Sequence, residues 1–187
     1  MGPEGNERLT AASGAVLFLL LFAEGVTILF IRPLLSAHVF IGMLLIPPVA
    51  LKLGSTGWRF YRYYTGRSEY LAKGPPLLPL RLLAPLVVAS TVAVFGTGVA
   101  LLALGPSGRG LVLGLHKASF VVWLAATGIH VLAYVGRVPR LALADWRPRA
   151  APGSFARRTL LAGTLVAGTI LALTTVQYAH PWLHGGH

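Results

Sequence analysis

The sequence predicts an all-α integral membrane protein: one helical bundle of five transmembrane helices over residues 1–187, N-terminus inside and C-terminus outside. Three observations predict it. The chain is 55% hydrophobic and only 11% charged, with a mean hydropathy of +0.71, too little polar surface to cover a soluble globule of this size. Five apolar runs approach the ~20 residues needed to cross ~30 Å of hydrocarbon. The basic residues are concentrated in two of the connections, as the positive-inside rule requires of cytoplasmic loops.

Span one covers about residues 9–31. The preceding MGPEGNERLTAAS lacks the basic flank and small-residue cleavage site of a secretory peptide, so this run is expected to remain as a helix. IRPLLSA reads as a short outer turn into span two, about 35–53, where Pro47 and Pro48 are expected to kink the helix. GWRFYRYYTGRSEYLAKGPPLLPLR then mixes Trp58 and four tyrosines with arginines. It is expected to lie at headgroup depth, as a lipid anchor or as a contact for a cofactor or partner subunit. Spans three and four, about 82–105 and 111–135, are joined outside by GPSGRG. VPRLALADWRPRAAPGS reads as a surface linker into span five, about 159–179.

Of sixteen basic residues, Arg8 and twelve in the two long loops fall inside, leaving Arg32, Arg109 and Lys117 near the outer face. That asymmetry sets the topology and implies a multi-pass protein of the cytoplasmic (inner) membrane. It accounts for the net charge of +11 and favours anionic membrane lipid, while nucleic-acid binding has no separate support. With no cysteine, disulfides, thiolate metal sites and iron–sulfur clusters are excluded. No nucleophile–His–acid pattern or phosphate loop supports a hydrolase or a nucleotide-dependent enzyme.

Three of the six histidines, His38, His116 and His130, fall in predicted spans. Fourteen residues on an α-helix return to within ~40° and advance ~21 Å, so His116 and His130 share one face at two depths. Phe120, Trp123 and Thr127 lie between them on that stripe, a layout suited to flat cofactors stacked along the helix. Spans two and four run in the same direction, which puts His38 and His116 at matched depth near the outer face. Two neutral imidazoles on opposite sides of a haem give six-coordinate iron suited to electron transfer. Gly42, one turn beyond His38, would leave room for the porphyrin, as could Gly96, Gly98, Gly114 and Gly128, although such small residues also serve helix packing.

These histidines resemble the ligand pattern of b-type di-haem cytochromes, including the cytochrome b of quinol-oxidising complexes and ferric-reductase-like proteins. The short form is similar to the cytochrome b subunits of bacterial formate dehydrogenases and hydrogenases. Over spans two to four, the resemblance implies His38 and His116 as ligands of an outer haem b and His130 as one ligand of an inner haem. It also implies a histidine fourteen residues after His38, where this chain has Lys52. Lys52 could ligate iron as a neutral amine, leave His130 on a five-coordinate haem, or snorkel to the inner surface beside a hydrogen-bonded His130. One haem is therefore expected, with a second as an option.

Arg32 and Lys117 are the cations expected for the outer haem's propionates. Glu24 is expected to pair with Arg32, to stay protonated or to pass protons to a quinone. The tail AHPWLHGGH is expected to be a weak metal binder, with His180 as a third histidine near the outer haem. The implied function is electron transfer between a quinone or partner redox subunit and an acceptor, as a subunit of an oxidoreductase complex. The competing classes are a cofactor-free scaffold or assembly subunit and a histidine-dependent proton or metal transporter.

Overall fold

The computed structural model describes residues 2–75, 77–147 and 151–184. The described residues form eight α-helices: α1 Pro3–Leu29, α2 Ile31–Tyr64, α3 Ser68–Leu71, α4 Leu78–Leu104, α5 Gly110–Tyr134, α6 Val138–Ala142, α7 Ser154–Thr175 and α8 His180–His184. Five helices are long and apolar enough to cross a membrane: α1, α2, α4, α5 and the stretch Ser154–Leu183 that begins with α7. Helices are the natural solution here, because hydrocarbon offers no partner for an open N–H or C=O. The outward faces are correspondingly apolar, with Phe22 69%, Leu111 78% and Leu132 76% exposed.

Three boundaries differ from the sequence reading. The expected outer turn IRPLLSA shrinks to Phe30 (φ −124°, ψ 44°), and Arg32 and Pro33 belong to the first turn of α2, where a proline costs no intrahelical bond. At its other end α2 continues to Tyr64, giving 34 residues and a length of ~51 Å. GWRFYRYY is therefore helix. Its side chains support one another a turn apart, Arg62 lying 5.2 Å from the Trp58 ring and Phe60 4.4 Å from Tyr64. The helix ends beside Gly66, whose φ of +76° suits glycine. Within the linker, VPRLA forms α6, which docks on α1.

The expected kink at Pro47 and Pro48 is displaced. Dihedrals stay helical through both prolines, and the only non-helical residue within α2 is Leu34 (φ −106°, ψ 16°), beside the tight α1–α2 reversal. Pro48 has no N–H to give the carbonyl four residues back, that of Leu44. That carbonyl faces Gly168 of α7, where an added Cβ would overlap the oxygen and lie only 3.1 Å from the carbonyl carbon. Proline and glycine thus cooperate: one frees a carbonyl and the other lets a helix backbone close on it.

Helices α1, α2 and α7 pack as one group, while α4 and α5 form a hairpin; the groups meet mainly through sparse α2–α4 contacts. At the end where α1 begins, hereafter the basic end, ion pairs clasp the connections. Arg157 donates to Asp145 through Nε (2.5 Å) and Nη2 (2.6 Å), and Arg8 lies 3.6 Å from the same carboxylate. Glu7 receives Lys73 and, at 3.2 Å, Arg137. The Arg157 hydrogen bonds hold Asp145 below the usual carboxylate range, outweighing the opposing effect of burial.

Two outcomes follow. Gly168→Leu should cost about 2–3 kcal/mol by forcing α7 off α2, read as a lower melting temperature in detergent; Gly163→Ala, which faces open space, should be near neutral. Asp145→Ala should cost about 3 kcal/mol by leaving the buried Arg157 unpaired. Because Asp145 titrates lower folded than unfolded, its stabilisation is complete above about pH 4 and lost as pH falls through the depressed value. Melting curves between about pH 3 and 7 should show that acid loss in the wild type and a correspondingly smaller one in the variant.

Candidate functional site

His38 on α2 and His116 on α5 approach with ring centroids 6.5 Å apart and planes at 79°. They reach toward each other across the seam between the two helix groups. Each is held from behind by its Nδ1. His38 Nδ1 lies 2.9 Å from Glu24 Oε1 and 3.0 Å from Thr27 Oγ1, both on α1. The Thr27 hydroxyl is itself committed to the Glu24 carbonyl at 2.6 Å, so the imidazole must supply the proton. His116 Nδ1 lies 3.1 Å from the Val94 carbonyl and 3.0 Å from Thr97 Oγ1 on α4. A carbonyl only accepts, and Thr97 donates its proton to Ala93 O at 2.6 Å. By this hydrogen-bond accounting both neutral rings carry their proton on Nδ1 and a lone pair on Nε2. Neither Nε2 has a hydrogen-bond partner among the described residues.

The glycines serve these side chains more than open space. A Cβ at Gly98 would stand 3.3 Å from His116 Cε1, so Gly98 makes room for the ring. Gly42 opens room for the Glu24 carboxylate, whose Oε1 would be 3.4 Å from an added Cβ. Gly96, Gly114 and Gly128 have no neighbour that a Cβ would meet within 4 Å. Along α5, Trp123 donates from Nε1 to Thr91 Oγ1 at 3.1 Å and stacks on Phe120. The stripe therefore turns toward α4 at both His116 and Trp123.

The second expected position is differently furnished. His130 lies 5.0 Å from the Tyr134 ring, and its Nδ1 and the Thr127 Oγ1 are shielded without hydrogen-bond partners. Lys52 donates from Nζ to Thr10 O at 2.6 Å, and Gly14 leaves space for that ammonium. It fastens α2 to α1. Arg32, Arg109 and Lys117 are exposed. Glu24 pairs with His38 and not with Arg32, the pairing partner the sequence reading had offered among its alternatives. His180 is exposed in α8, while the side chain of His184 and residues 185–187, with His187, lie outside the described residues.

Metal–imidazole bonds are about 2 Å long, so two rings on opposite sides of one ion stand roughly 6.3 Å apart, centre to centre. The observed 6.5 Å matches this. A ligating histidine characteristically gives its other N–H to a carboxylate or carbonyl, as both do here. No group of three His, Cys, Asp or Glu among the described residues could hold a bare ion. An ion seated between these rings would need its remaining donors from a group that travels with it, as a tetrapyrrole supplies. His38 and His116 could hold such a group between them. At His130 no second imidazole stands opposite among the described residues, and the Lys52 ammonium is held by Thr10 O.

Compared with known proteins, the chain matches no protein-family model, no curated protein and no solved structure.

Proposed function

We propose that this protein is a membrane electron-transfer protein holding haem b between His38 and His116, similar to the cytochrome b subunits of bacterial formate dehydrogenases and hydrogenases. The observation that carries this reading is the pair of Nδ1-tethered imidazoles whose Nε2 lone pairs are unclaimed at a centroid distance of 6.5 Å. Six-coordinate haem iron supplies one-electron chemistry without an open position for oxygen. The chain's own contribution is to fix each imidazole in the ligating tautomer and, through Glu24, to back His38 with a carboxylate.

By the positive-inside rule the basic end is cytoplasmic, with the N-terminus inside and the C-terminus outside. The histidine pair then lies toward the outer face of the cytoplasmic membrane. Arg32, six residues before His38, and Lys117, beside His116, supply the cations for the propionates. Electrons would pass at that face between a quinone or a partner redox subunit and an acceptor. The chain offers no cysteine or phosphate loop of its own for a soluble reductant, which favours a subunit of a larger oxidoreductase.

Protein purified from haem-replete cells should show the sharp reduced α-band of low-spin b haem at about one haem per chain by pyridine haemochrome. His38→Ala and His116→Ala should each abolish the band. Gly98→Leu should diminish it by displacing the His116 ring, and His184→Ala should leave it intact. A colourless wild-type preparation, with no midpoint in a redox titration, would sink the proposal and leave a scaffold.

A further inference from the structure

At the basic end, away from the histidine pair, α1 and α2, held together by the Asn6–Ser55 and Lys52–Thr10 bonds, border an open groove of about 510 Å³, lined chiefly by Leu9, Ala50, Leu51, Gly54 and Trp58. Its volume is in the range of small-molecule sites. Its two polar wall residues are already occupied: Asn6 donates from Nδ2 to Ser55 O, and Ser55 Oγ receives the Thr10 hydroxyl, both at 2.9 Å. The walls thus offer hydrocarbon to an occupant. One turn beyond Trp58 on the same face stands Arg62, its guanidinium 5.2 Å from the Trp58 ring and 5.9 Å from Tyr70. Two aromatic faces hold the cation in place. Its Nε is shielded and without a partner, and no ion pair of Arg62 occurs among the described residues. The nearby carboxylates of Glu7 and Asp145 are taken by Lys73, Arg137, Arg157 and Arg8.

From Ala50 to Arg62 the face rises ~18 Å, close to the depth of one leaflet of a ~30 Å hydrocarbon core plus its headgroup margin. We propose that this groove binds one anionic phospholipid. The acyl chain lies along Leu51 and Gly54, and the phosphate sits on the Arg62 guanidinium above Trp58. Charge selects the lipid: a positioned guanidinium fork with no internal carboxylate favours a phosphate that no choline neutralises. The apolar walls distinguish the occupant from a free anion, which would gain nothing from them.

The test is native mass spectrometry of the full chain released from nanodiscs of mixed phosphatidylglycerol and phosphatidylcholine. Wild type should retain one phosphatidylglycerol and discriminate against phosphatidylcholine by roughly tenfold. Arg62→Ala should remove the discrimination, and Arg62→Lys should keep part of it. Gly54→Leu fills the groove and should eject the lipid with Arg62 intact, while Gly54→Ala, whose Cβ meets open space, should retain it. Melting temperatures matching the wild type certify each variant's fold, and Gly54→Leu carries the test if Arg62→Ala fails that check. Equal retention of both lipids, unchanged retention in Gly54→Leu, or displacement by inorganic phosphate at about 10 mM would overturn the assignment.

Discussion

In a hydrocarbon surround every polar group must find its partner inside the chain, and this requirement organises the bundle from one end to the other. The backbone answers with helices. Hydroxyls answer by bonding back one turn, as Ser90 does to Leu86 O and Thr175 to Leu171 O. Where Pro48 withdraws a donor, Gly168 on α7 covers the Leu44 carbonyl that is left. Asp145 and Arg157 satisfy each other at the bundle's edge. A few shielded atoms, such as Thr127 Oγ1 and His130 Nδ1, have no partner; the two Nε2 atoms of His38 and His116 differ from them because their rings are anchored on one side and left open on the other.

Anchoring on one side gives the site its asymmetry. His38 is backed by a carboxylate, whereas His116 is backed by a carbonyl and a hydroxyl. A carboxylate behind an imidazole pushes electron density toward the far nitrogen, so the two rings are not equivalent donors. The difference arises from helix pairing, since Glu24 and Thr27 belong to α1 while Val94 and Thr97 belong to α4. Each histidine is thus supported by the helix preceding its own.

Much of this was legible in the sequence. The five apolar runs, the charge asymmetry and the matched depth of His38 and His116 rest on hydropathy and helical rise, which survive folding. Helix ends were less legible, because hydropathy marks where hydrocarbon stops and not where helix stops; hence the polar, helical tail of α2 to Tyr64. The partner of Glu24 was hidden for another reason. Arg32 is near in sequence but separated by the Phe30 reversal, and in a tight hairpin partners sit equidistant from the turn. Glu24 with His38 and Thr10 with Lys52 are both centred on residue 31, as Thr97 with His116 is on the α4–α5 turn. That register could have been read. The burial of Asp145 could not, since nothing local distinguishes a clasped carboxylate from a solvated one.

The division into a three-helix group and a hairpin has a consequence for how the molecule is made. The chain leaves the ribosome from its N-terminus, so α1 and α2, then α4 and α5, enter the membrane while α7 is still unsynthesised. Both histidines and all four of their backing groups are present by then, whereas the α2–α7 contact at Gly168 is not. The growing chain therefore passes through a stage in which the seam is furnished with its donors but one wall of the bundle is missing. Arrival of the last span then adds the contact in which Gly168 closes on the Leu44 carbonyl, so the pairing of α1 with α2 and of α4 with α5 precedes the completion of the bundle.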